Sequence, residues 1–126
     1  MTTKEYLKSL KGLKEDIRRV EKEITRLEVL LTRLPKNVKS LEKKKVREEL
    51  KYQMFELECS NVRYATRLNK ILEKIDTLPK ESMKRILKMR YLDGKEYFQI
   101  ADELGYSETY IKNLHTEALK AFEELL

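Results

Sequence analysis

Little in this chain bends or breaks a backbone. Two prolines and three glycines in 126 residues exclude a fold of many short strands and tight turns, and leave long helices as the default. The single cysteine, Cys59, excludes an internal disulfide and fits a reducing cytoplasm, where a small, partly buried thiol is its plain reading. The single histidine, His115, leaves no Cys/His cluster with zinc spacing, and there is no glycine-rich phosphate loop. Neither a metal nor a cofactor is therefore expected. Carboxylates are many but scattered among lysines, so no nucleophile–base constellation can be assembled and catalysis is not expected. No apolar run approaches the ~18 residues of a membrane span. The opening MTTKEYLKSLKG lacks the apolar middle of a signal peptide, which points to the cytoplasm and away from membranes.

What the chain does have is charge and heptads. Charged residues make up 40% of it, against roughly a quarter in ordinary domains. The net charge of +6 is unevenly placed: residues 1–76 carry 20 basic and 13 acidic side chains, residues 77–126 carry 8 and 9. From Thr3 to Leu34, Leu10, Leu13, Ile17, Val20, Ile24, Leu27, Leu31 and Leu34 alternate spacings of 3 and 4, and Tyr6 extends the series. That is the a/d seam of a coiled coil, with Gly12 as its one weak position. Pro35 should stop this helix, residues 35–40 should form a loop, and Ser40 should cap the next helix. The basic run Lys43, Lys44, Lys45, Arg47 and Lys51 near the bend reads first as a solvated helix start, and second as a grip for phosphate or an acidic protein.

A second helix is expected over about 41–75. Leu50, Met54, Leu57, Asn61, Tyr64, Leu68, Ile71, Ile75 and Leu78 keep the heptad spacing, with Asn61 as a polar seam residue that sets register. Phe55, Val62, Ala65 and Leu72 add a second apolar stripe, which calls for cover from a second protomer or from the C-terminal part. Two such helices joined by a short loop fold back as an antiparallel hairpin. Asp76 to Pro79 form a joint, Lys80 to Leu92 a further helix, and Asp93-Gly94 a turn.

The stretch YFQIADELGYSETYIKNLHTEAL, residues 97–119, organises the remainder. Ile100, Ala101 and Leu104 mark a short helix. Gly105 suits its C-terminus and Ser107 is the helix cap of the next, whose stripe is Ile111, Leu114, Ala118, Leu119 and Phe122. Two short helices joined by a three-residue turn are a helix-turn-helix, whose second helix enters a major groove. Away from the stripe lie Glu108, Thr109, Lys112, Asn113 and Thr116. Asn bonds adenine, Lys reaches guanine or phosphate, Glu accepts from cytosine, and Thr meets phosphate or a thymine methyl. His115 falls near the packed face, as a structural histidine or a phosphate neighbour. Phosphate contact is expected from Lys84, Lys88, Lys95, Gln99 and Thr116; the plain alternative is a solvated face.

Residues 78–125 resemble region four of bacterial sigma factors. The resemblance is carried by Leu78-Pro79, Arg90-Tyr91, Asp93-Gly94, Tyr97, Ile100-Ala101, Leu104-Gly105, Ser107, Ile111-Lys112 and Ala118-Leu119. It implies base contacts at Glu108, Thr109, Lys112 and Asn113. The chain departs from the family pattern at Glu96, where Ser or Thr usually caps, and at Lys95, usually apolar. A coiled coil followed by such a domain resembles phage late-gene transcription regulators of the ArpU/RinA type.

The expectation is thus an all-α protein: a long antiparallel coiled-coil hairpin over 1–76 that is expected to dimerise, then a three-helix, sigma region 4-like helix-turn-helix over 77–126. The expected partners are double-stranded DNA and a second copy of the chain bound through the hairpin, with RNA polymerase as a further candidate. The near-neutral reader keeps a rival reading open, an adaptor that binds polymerase or another protein through the hairpin. A phage packaging subunit is a third, though there the reader commonly precedes the coil.

Overall fold

The computed structural model describes residues 2–34 and 41–126. The stop at Pro35, the loop 35–40 and the cap at Ser40 lie outside the described residues. The elements run α1 (Thr3–Arg33), α2 (Leu41–Asp76), α3 (Glu81–Leu87), a π-helical turn (Lys88–Leu92), α4 (Tyr97–Leu104) and α5 (Glu108–Glu123), with no strand among the described residues. α1 and α2 form a hairpin. α1 starts on a reciprocal cap: the Thr2 N–H donates to the Glu5 carboxylate and the Glu5 N–H to the Thr2 hydroxyl, both at 3.2 Å.

The chain divides into two compact units, Glu15–Thr66 and a second made of Met1–Lys14 with Arg67–Leu126. This division departs from the expected boundary at 76/77. Within Glu15–Thr66, Val20 and Leu27 are buried, while Leu50, Met54, Leu57, Asn61 and Tyr64 are half-buried, as befits a seam only two helices thick. Leu27 and Leu57 share a small cleft with Glu23, Gln53, Glu56 and Ser60. The outer stripe of α2 stays uncovered: Tyr52, Phe55 and Val62 are 57, 62 and 66% exposed.

In the second unit the core is built from Leu7, Leu10, Ile75, Ile86, Leu87, Ile100, Ile111, Ala118 and Phe122, all fully buried. The first turns of α1 therefore belong to the core of the helix-turn-helix. Leu7, outside the expected heptad series, is buried, and the Tyr6 ring lies 6.0 Å from that of Phe122. The Tyr6 hydroxyl accepts from the Lys74 ammonium at 3.2 Å. Nine or so buried aliphatic and aromatic side chains, at ~1.5–3 kcal/mol each, outweigh anything the surface ion pairs of this unit supply.

The helix expected over 80–92 is α3 plus the π-helical turn, in which the Asp93 N–H reaches back to the Lys88 carbonyl at 3.1 Å. Such widened turns carry one extra residue per turn and recur at functional sites. Here it ends with Tyr91 buried and Arg90 half-buried. Gly94 follows at φ +69° and Gly105 ends α4 at φ +74°, conformations that a Cβ would strain.

Asn61 has no hydrogen-bond partner for its Oδ1 among the described residues, although that atom is buried. An unpaired buried acceptor costs about 1–3 kcal/mol. Asn61→Leu should therefore raise the unfolding free energy by about 1–2 kcal/mol, read as a higher urea midpoint at unchanged m-value. A lower midpoint would show that Asn61 is satisfied in solution.

Candidate nucleic-acid interface

α5 is set in place by the turn that precedes it and by one buried imidazole. The Gly105 N–H bonds the Ala101 carbonyl at 2.9 Å, closing α4, and the Ser107 hydroxyl accepts from the Tyr110 N–H at 3.1 Å, opening α5. Ile111, Leu114, His115, Ala118 and Phe122 face inward. The opposite face exposes Glu108, Thr109, Lys112, Asn113 and Thr116. With 3.6 residues per turn these five side chains fall on one side of the helix, over its first half. Glu108 and Lys112 form an exposed pair at 3.5 Å, and the Thr116 hydroxyl donates to the Lys112 carbonyl at 3.1 Å. Asn113 and Thr109 are exposed.

His115 is 4% exposed and uses both ring nitrogens. Nε2 lies 2.7 Å from the Tyr91 hydroxyl, and Nδ1 lies 3.2 Å from the Tyr97 hydroxyl. A neutral imidazole has one donor and one acceptor nitrogen, and two hydroxyls can answer both. Burial pushes the His115 pKa down to about 4, helped by the charges of Arg90 and Lys4. Burial likewise pushes the Tyr91 hydroxyl up to about 12. The Arg90 guanidinium lies 4.4 Å from the Tyr97 ring centroid and donates to the Lys95 carbonyl at 3.0 Å. Of the two sequence readings of His115, the geometry fits the structural one: it joins the π-turn, α4 and α5.

The expected phosphate contacts are spread over α3, the π-helical turn, the loop before α4, α4 and α5, and are mostly engaged. Lys84 bonds Glu81 at 2.9 Å, Lys88 bonds Asp76 at 2.7 Å, and Lys95 bonds both oxygens of Glu103 at 2.8 Å. The Lys88 ammonium holds the Asp76 carboxyl below its ordinary range, chiefly through that hydrogen bond. Gln99 caps α4: its Oε1 accepts from the Glu96 N–H at 2.8 Å. A start of α4 without Ser or Thr is thus secured by a capping box, in which Gln99 closes the Glu96 N–H and the Glu96 side chain faces the Gln99 N–H.

Sequence reasoning passed over the aromatic pair Tyr106 and Tyr110. Their ring centroids lie 4.6 Å apart across the turn, and the residues are 52 and 46% exposed. Their spacing of four across Ser107 was the available signal. Phe98, 61% exposed on α4, adds a third exposed ring. Among the described residues no group of three or more His, Cys, Asp or Glu could hold a metal ion, and no helix is long and apolar enough to cross a membrane.

Residues 75–122, from the last turn of α2 through nearly all of α5, match the family model of Sigma-70, region 4. That stretch is a sigma region 4-like helix-turn-helix. No curated protein and no solved structure matches the chain.

The buried imidazole makes stability depend on pH. The folded pKa of about 4 lies below the ordinary 6.5, so the unfolded chain takes up the proton first. His115 should contribute its full stability above pH 6.5 and lose it as pH falls towards 4, by on the order of 3 kcal/mol. In His115→Gln this part of the pH dependence should vanish. A wild-type minus variant difference in urea midpoint that stays constant from pH 7 to 4.5 would refute the assignment.

Proposed function

From a sigma region 4-like helix-turn-helix at residues 75–122, we propose that the protein is a sequence-specific, double-strand DNA-binding transcription regulator of the cytoplasm. α5 is the recognition helix, and Glu108, Thr109, Lys112 and Asn113 read base edges while Thr116 meets phosphate. The observation that carries this is the exposed first half of α5, where a DNA-compatible set of side chains stands on a helix whose other face is locked into the core. Lys84, Lys88 and Lys95 join as secondary phosphate contacts once they leave their carboxylates, an exchange that costs at most ~1 kcal/mol per exposed pair. The order of parts, hairpin before reader, supports a phage late-gene regulator of the ArpU/RinA type.

The regulator is a homodimer through the hairpin. Tyr52, Phe55, Cys59 and Val62 on α2 are spaced 3, 4 and 3, and the three large ones are exposed. This heptad stripe wants a second helix of the same pattern. A dimer would present two readers to a pair of half-sites. Exposed Phe98, Tyr106 and Tyr110 favour one further reading, contact with a protein such as RNA polymerase beside the DNA.

Selection from random duplexes tests the main reading. The wild type should recover a repeated half-site. Lys112→Ala combined with Asn113→Ala should keep the helix content and lose the sequence preference. Unchanged site selection by that double variant would sink the role of α5, and recovery of no duplex at all would favour the protein-contact reading. For the dimer, sedimentation should show a two-chain species that Phe55→Glu with Val62→Glu converts to monomer at unchanged helicity. A wild type that sediments as monomer at tens of micromolar would remove it.

A further inference from the structure

The lysines expected to meet phosphate are not the ones left without a carboxylate partner. Lys84, Lys88 and Lys95 are all paired with carboxylates. Among the described residues Lys4, Lys8 and Lys120 make no ion pair, and Lys4 and Lys8 are exposed. They are also held firmly beside the reader. Leu7 and Leu10 are fully buried in the same core as Ile111 and Phe122, and Tyr6 packs on Phe122. Lys4 and Lys8 are one turn apart on the helix that these three residues anchor.

The lysines gather on two adjoining open spaces. A groove of about 910 Å³ runs along the edge of α5 and is lined by Thr2, Lys4, Lys112, Thr116 and Lys120, with Glu123 as the one carboxylate on its wall. A smaller cleft of about 240 Å³ is lined by Lys4, Lys8, Arg90 and Tyr97 and carries no carboxylate. Lys4, Tyr97 and His115 border both. Lys112 and Thr116 thus belong at once to the groove and to the exposed face of α5. The backbone strand that flanks a recognition helix lies against this kind of edge, and phosphate contacts there set the register of the helix in the major groove.

We propose that the first turns of α1 form a phosphate-binding flank of the DNA reader, in which Lys4 and Lys8, with Lys120 of α5, bind the phosphodiester backbone of duplex DNA along this groove. The proposal rests on α5 being the DNA reader. It makes residues 1–14, which carry four lysines and one glutamate, part of the DNA-binding surface and offsets the slight acidity of residues 77–126.

The test is the salt dependence of binding by the full chain to a labelled duplex containing the selected site, beside a scrambled duplex. Each lost phosphate contact lowers the slope of log K against log salt by about 0.9. Lys4→Ala with Lys8→Ala should reduce the slope by about 1.8 and weaken binding on the order of tenfold near 0.15 M salt, equally for both duplexes. Lys120→Ala alone should reduce it by about 0.9. Thermal midpoints of these exposed-residue variants should match the wild type, and if the double alanine variant melts early, Lys4→Gln with Lys8→Gln gives the same reading. Wild-type binding with an unchanged slope in the variants would overturn the flank and leave the reader standing. A wild type that binds no duplex would overturn both.

Discussion

One neutral imidazole ties the reader together. His115 reaches the Tyr91 hydroxyl at 2.7 Å and the Tyr97 hydroxyl at 3.2 Å, so the π-turn, α4 and α5 meet at a single ring. A buried polar group is tolerable only when every donor and acceptor is answered, and here two hydroxyls answer two nitrogens. Charge on the ring would leave it buried beside Arg90 and Lys4, which is why its pKa lies far below the ordinary value. Arg90 adds the second tie. It covers the Tyr97 ring and takes the Lys95 carbonyl, closing the turn through Gly94. The direction of α5, and so the direction of its exposed face, follows from these few contacts.

The local parts of this design were legible in the residues themselves. Heptad spacing marks both long helices, and the punctuation of Gly105 and Ser107 marks the turn, because caps and positive φ are chemistry of single residues. What escaped is long-range. Leu7 stands outside the seam series because it belongs to the core of the second unit, with Ile75, Ile86, Ile111 and Phe122, so no heptad count could find it. The division of the compact units within α1 and α2 is long-range in the same way. Lys88 meets Asp76 twelve residues away and Lys95 meets Glu103 eight away, distances at which a helical period says nothing. The π-turn is likewise unmarked: KMRYL contains no Gly or Pro, and the partner of its Tyr91, His115, lies 24 residues on.

The departure at Glu96 shows how far a motif can drift without losing its geometry. A hydroxyl before the helix answers a free N–H inside it. Here Gln99 answers the N–H of Glu96 from inside the helix, and Glu96 approaches Arg90 at 3.5 Å. The start of α4 keeps its place because the need is for a closed backbone polar group, and either side of the boundary can supply it.

The charge pattern bears on specificity. A reader whose lysines were all free would hold any duplex through phosphate alone, since that attraction carries no sequence information. Pairing Lys84, Lys88 and Lys95 with carboxylates lowers the field over α3 and α4 without removing the side chains. Each exposed pair is worth roughly 0–1 kcal/mol, less than a good bidentate base contact at about 1–3 kcal/mol. In the proposed reading a correctly seated α5 would open these pairs, while a wrongly seated one would gain too little to do so, and the ion pairs would then act as a threshold that favours the cognate site. Lys4, Lys8 and Lys120, without an ion pair among the described residues, line the groove and cleft beside α1 and the edge of α5, where in the proposed reading they would steer an approaching backbone but could not choose a sequence.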